Sequence, residues 1–181
     1  LEERNKVRYV TIDMWEPYKQ VCIKYLKNCE ISVDPFHVIK HLTEGFTKLR
    51  VSIMNQFVYN STSYYLLKSW HKLLESDKYD LDNEPRYNSK FKQHMNYRDL
   101  YELTLQISEE LKLAYELKEM YRDFNKNCSY EKAPARLNYL IHLFEEADLA
   151  CYKKLVQLLK NWNPEIINSF NRTYDSRRQS N

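Results

Sequence analysis

The stretch VTIDMWEPY, residues 10–18, ends a β-branched run on an acid, Asp13, and turns at once toward a helix. A carboxylate at the carboxyl end of a buried strand has two uses. It caps the following helix by accepting backbone N–H groups, or it holds a metal ion where open α/β sheets place their sites. The spacing favours the cap, because Pro17 suits the first turn of a helix. Further on, DPFHVIKH (34–41) sets Asp34 and Pro35 where an N-cap and a first-position proline belong, and puts His37 and His41 on one helical face. That is half a zinc site at most. The glutamate of H-E-x-x-H is missing, and Val38 stands in its place. Trp70 and His71 offer a stacking surface for a base, although packing into a helical body is the simpler role for the tryptophan. The acids Asp77, Asp80, Asp82 and Glu84 lack the glycine and spacing of a calcium loop and read as a solvated turn.

These residues need elements to hold them. KVRYVTID (6–13) reads as a strand, residues 16–28 as a helix with Val21, Cys22, Tyr25 and Leu26 on one face, and EISV (30–33) as a second strand. So short a strand, helix and strand imply a βαβ unit with parallel pairing and a right-handed crossover. After Pro35 nothing reads convincingly as strand. Long helices are expected over HVIKHLTEGFTKLRVSIMNQF and TSYYLLKSWHKLLES, then a polar loop, DKYDLDNEPRYN. One sustained amphipathic helix is expected from Tyr97 to Phe124, where Leu100, Leu103, Ile107, Leu111, Ala114, Leu117 and Tyr121 recur at steps of three and four. One or two more follow, with Pro134 and Pro164 in their first turns. The fold class is therefore α+β and predominantly α-helical. Two parallel strands do not make a stable sheet alone, so the amino-terminal unit is expected to be part of a larger sheet.

Composition narrows the function. The 181 residues hold one glycine, Gly45, which excludes glycine-rich phosphate and dinucleotide loops. Hydrophobic residues make up 43% and aromatics 14%, too much for a disordered chain. The tyrosines, 16 in number, read first as interhelical packing. Cys22, Cys29, Cys128 and Cys151 show no C-x-x-C spacing, and no apolar run is long enough to span a bilayer. A cytoplasmic location with free thiols is expected. The net charge of +3 says little about polyanions. Residues 61–128 carry eleven basic against twelve acidic side chains, which points to protein contact there rather than a broad DNA face.

VTIDMWEPYKQVCIKYLKNCEISVDPFHVIKHL resembles the bacterial insertion-sequence transposases of the DDE class, in their ISL-three branch. Those carry "iDmw-x-x-Y", a helix, a short strand, then "vD-x-FHV-x-K". The matches are Ile12, Asp13, Met14, Trp15 and Tyr18, then Val33, Asp34, Phe36, His37, Val38 and Lys40. LAYELKEMYRDF resembles the family's "ay-x-lKe-x-f" helix, and FNRTYDSRRQSN resembles the approach to its "sNG-x-x-E" motif.

The resemblance implies a partial RNase H-like core at 1–41, a large helical insertion at 42–175, and a stump, 176–181, leading to a helix that bears the third acid. It implies DNA cleavage and joining at insertion-sequence ends by two Mg²⁺ ions, with Asp13 as a catalytic, metal-binding acid. Asp34 and His37 would be supporting residues. The first acid belongs to an earlier strand and the glutamate to a position past Asn181, so this polypeptide itself is expected to be inactive. Phosphate contacts are expected, on charge alone, from Lys48, Arg50, Arg172, Arg177 and Arg178. DNA ends, target DNA and further copies of the chain are the expected partners. Two other readings stay open from the residues: a non-enzymatic helical interaction or DNA-binding module, with Asp13 and Asp34 as caps, and a metal-dependent hydrolase using Asp34, His37 and His41.

Overall fold

A computed structural model describes residues 4–171. Strand β1 (Tyr9–Ile12) leads through α1 (Glu16–Tyr25) to β2 (Glu30–Val33). Then come α2 (Pro35–Met54), α3 (Thr62–Ser69), the single turn α4 (Lys72–Glu75), and two short strands, β3 (Arg86–Asn88) and β4 (Gln93–Met95). Helices α5 (Tyr97–Leu105), α6 (Glu109–Asn127), α7 (Ala133–Ala147), α8 (Lys153–Asn161) and α9 (Asn163–Asn168) follow. None of these helices is long and apolar enough to cross a membrane. The four cysteines are free thiols.

The prolines act as punctuation. Pro17, Pro35, Pro134 and Pro164 each sit at a helix start, where the missing N–H costs nothing. The single glycine, Gly45, is buried inside α2 rather than in a turn. Left-handed backbone falls instead to Asn60, Lys92 and Asp148, the last closing α7.

Three expectations fail here. TSYYLLKSWHKLLES, expected as one helix, is split into α3 and the single turn α4, with Trp70 as the C-cap of α3. The Tyr97–Phe124 periodicity is broken into α5 and α6 at Gln106–Ser108. Periodic apolar residues do not record the interruption, but Ser108 does: its Oγ accepts the Leu111 N–H at 3.2 Å and so starts a new helix. The polar segment also contains strand. β3 and β4 form an antiparallel hairpin with Arg86 opposite Met95 and Asn88 opposite Gln93. Three-residue strands without apolar alternation leave little trace in a sequence.

The chain groups into two compact units. The first takes the residues through Leu42 together with those from Glu119 onward. In it, β1 and β2 pair in parallel, and α7, α8 and α9 pack on one another. Phe144 meets Tyr152 edge-on at 5.1 Å, and Leu137, Leu140, Leu155, Leu159 and Ile166 are buried around them. Helix α9 lies against β2, where Asn168 donates to the Ile31 carbonyl at 2.8 Å. That anchor explains why the last helices group with the amino-terminal strands.

The second unit is Thr43–Lys118. Its core includes Leu66, Leu73, Met95 and Leu100, ringed by Tyr65, Trp70, Tyr79, Phe91 and Tyr97. A reciprocal capping box opens α5: Asn96 Oδ1 accepts from Asp99 N at 3.0 Å, and Asp99 Oδ2 accepts from Asn96 N at 2.9 Å. Arg50 is buried in this unit. Its Nη1 donates to the Leu67 carbonyl at 2.7 Å, and its Nε lies 3.3 Å from Glu75 Oε1, tying α2 to α3 and α4.

Two outcomes follow from this packing. Replacing Arg50 with alanine leaves the Leu67 carbonyl without its side-chain donor, while Glu75 keeps Thr47, so urea unfolding should show a loss of about 1–3 kcal/mol. Burial pushes the phenols of Tyr121 and Tyr152 upward from the ordinary tyrosine range, with Cys151 and Glu119 adding to the shift at Tyr152. A raised folded-state value contributes stability that is complete below about pH 10, the unfolded tyrosine value, and lost as pH rises above it. Ultraviolet titration of tyrosinate should therefore show these two ionising only together with alkaline unfolding.

Candidate active site

The parallel register fixes the candidate site. Tyr9 pairs with Glu30, Val10 with Ile31, Thr11 with Ser32 and Ile12 with Val33. One step further along each strand stand Asp13 and Asp34, side by side in the register at the carboxyl ends. The ladder runs on to them, because the Asp34 N–H donates to the Ile12 carbonyl at 3.0 Å. Thr11 and Ser32 hydroxyls add a cross-strand bond of 2.9 Å. Buried Ile12 and Val33 hold the pair from one face.

Asp13 does not cap α1. The N-cap is Trp15, without a side-chain bond, and the Trp15 N–H closes a tight turn on the Asp13 backbone carbonyl at 2.7 Å. Asp13 Oδ1 is buried and has no hydrogen-bond partner among the described residues. Such an oxygen costs on the order of 1–3 kcal/mol when unpaired, and more when charged. A bound cation removes that cost, and carboxylate oxygen is the donor that Mg²⁺ selects. The residue therefore fits one ligand position. Among the described residues, no group of three or more His, Cys, Asp or Glu side chains comes together to hold a metal.

Asp34 is already committed. Its Oδ1 accepts the Phe36 N–H at 2.9 Å, and its carbonyl accepts the His37 N–H at 3.0 Å, starting α2 at Pro35. His37 is half-buried with its ring edge-on to Phe36, 6.0 Å between centroids, while His41 is exposed a turn later. Among the described residues, Asp34, His37 and His41 form no group of three that could hold a metal.

The aromatic residues beside Asp13 are exposed, and Tyr18 among them departs from the packing role expected of the tyrosines. Trp15 and Tyr18 meet edge-on at 4.5 Å yet are 52% and 49% exposed, and Phe36 is 65% exposed. Trp70, by contrast, packs against Tyr65 and Tyr97 at 6.5 and 5.9 Å and is no open stacking platform.

Of the expected phosphate contacts, Lys48 is exposed on α2. Arg50 is not on the surface. Its guanidinium is taken by Leu67 and Glu75, and its positive charge alone could not reveal that. Arg172, Arg177 and Arg178 lie outside the described residues. Glu165 is buried in α9. Its Oε1 is 2.7 Å from Lys19 Nζ, an ammonium that also sits 4.9 Å over the Trp162 ring. Its Oε2 is unpaired. Sequence reading missed this bridge between α1 and α9 because the partners are far apart in the chain and share no motif.

No match was found among curated proteins or among solved structures. The family described as transposase, of the ISL3 DDE type, matches residues 1–177, nearly the whole chain. That span includes the parallel strand pair, the two strand-end aspartates and every described helix, and on it the chain belongs to the ISL3-type DDE transposase family.

Proposed function

We propose that this chain serves DNA transposition by giving Asp13 to a two-metal site that cuts a phosphodiester at an insertion-sequence end and joins the freed strand to target DNA. The observation that carries the reading is the buried, partnerless Oδ1 of Asp13 at the carboxyl end of a parallel strand. Mg²⁺, when bound, activates the attacking oxygen and stabilises the leaving one.

The chain's own residues hold and orient. Asp13 presents a lone pair in a place that offers no competing donor. Asp34 keeps the two strand ends in register through its N–H to the Ile12 carbonyl, and fixes the start of α2 through Phe36. His37 follows as part of that first turn. We assign both to positioning. In this reading Asp13 is one carboxylate of a triad, as the family's DDE chemistry implies. Lys48, and beyond the described residues Arg172, Arg177 and Arg178, contact phosphate by charge. The active complex contains more than one copy of the chain on terminal-repeat and target DNA.

The test is cleavage and strand transfer with Mg²⁺ and the element's terminal repeats, measured in the full-length protein. Asp13→Asn should lower both steps on the order of a thousandfold. Its thermal unfolding without metal should stay the same or improve, because Oδ1 loses no partner. A capping aspartate would leave activity in place, since asparagine caps a helix about as well as aspartate. Retained cleavage in Asp13→Asn overturns the assignment.

A further inference from the structure

The β3–β4 hairpin carries a cluster of basic and aromatic side chains that the catalytic reading does not use. Charge in this part of the chain is close to balanced in sum, but it is sorted along the chain. The acids Asp77, Asp80, Asp82 and Glu84 all precede β3, and no acid occurs from Pro85 to Arg98. Asp82 is already matched, its Oδ2 lying 2.7 Å from Arg98 Nη2. The hairpin itself exposes Arg86, Lys90 and Lys92, together with Tyr87, Gln93 and His94. Tyr87 is 61% exposed and lies edge-on to His94 at 5.5 Å.

The turn beside it extends the same surface. Lys90 Nζ donates to the Asn60 carbonyl, bringing the hairpin tip to residues 58–60. Tyr59 there is 70% exposed, with Lys68 Nζ 5.8 Å over its ring. The chain around this turn carries no acid between Glu44 and Glu75.

The hairpin is held firmly at its base and offered at its tip. Asn88 Oδ1 accepts the N–H groups of Lys90 and Phe91 at 3.0 and 3.3 Å, and its Nδ2 donates to the Tyr65 hydroxyl at 3.3 Å. Phe91 and Met95 turn into the core. Lys92 takes left-handed backbone, with φ of 56°. Asn or Gly meets that conformation with less strain, so a lysine there sets a charge at the turn against local preference.

Resting on the DNA-processing reading, we propose that the β3–β4 hairpin, with the 58–60 turn, is a duplex-DNA contact. Arg86, Lys92 and Lys68 meet phosphates, and Tyr87 and His94 face the groove. A two-stranded ribbon fits the major groove of B-DNA, and the complement of this surface is a polyanion. No catalytic residue is involved.

Binding of the full-length protein to a labelled random-sequence duplex, followed by fluorescence anisotropy across a salt series, tests this. The variant is Arg86→Gln with Lys92→Asn, the asparagine being at ease in left-handed backbone. A control of equal charge change, Lys112→Gln with Lys132→Gln, lies elsewhere on the surface. The hairpin variant should bind roughly tenfold more weakly at low salt, and its plot of log K against log salt should be shallower by about 1.8, two contacts at about 0.9 each. Circular dichroism and thermal unfolding should match the wild type. Equal affinity and slope in the hairpin variant, or an equal loss in the control, overturns the proposal. So does a variant that loses self-association while keeping DNA affinity, which makes the hairpin a protein contact. Absence of duplex binding by the wild type also overturns it. The catalytic reading is judged separately, by Asp13→Asn.

Discussion

The parallel register of β1 with β2 is the constraint on which the candidate site rests. Side chains alternate along a strand, so a slip of one residue would turn Asp13 to the opposite face and bring Ile12 out of the core. Several features resist that slip. The Asp34 N–H carries the ladder past Val33, the Thr11 and Ser32 hydroxyls bond across it, and buried Ile12 and Val33 fill the covered face. Asn168 then reaches back from α9 to the Ile31 carbonyl, so a helix distant in sequence holds β2 in place. The placement of one carboxylate is thus the sum of local pairing and one long-range anchor.

The second unit answers a different demand. Its elements are short and separated by polar turns, so few of its helices would persist alone. Stability comes from aromatic packing around Leu66, Leu73, Met95 and Leu100, and from Arg50, whose buried charge is matched by Glu75 and a backbone carbonyl. The capping box at Asn96 and Asp99 and the serine caps at Ser61 and Ser108 begin helices where propensity alone would not.

Much of this was legible in the sequence. Prolines marked four helix starts, the β-branched run gave β1, and short-range spacing gave the βαβ unit and the acid at its strand end. What escaped has physical causes. Periodicity survives a helix break when both halves keep an apolar face, so α5 and α6 read as one. The β3–β4 strands are too short to alternate. Arg50 looked like any surface cation because burial depends on Leu67 and Glu75, which share no motif with it. Asp13 looked like a cap because its type and position are those of a cap; only the unpaired oxygen distinguishes the two roles.

The scarcity of glycine has a consequence for how this chain tolerates change. Its left-handed turns rest on Asn60, Lys92 and Asp148, residues that keep a side chain where most proteins keep none. The strain is greatest at Lys92, because asparagine and aspartate enter this region more readily, and glycine there would relax the backbone. Thermal hardening by random mutation would therefore find an early gain at that corner. At Lys92 that gain would remove a positive charge from the hairpin tip, so a more robust protein would carry a weaker cationic surface.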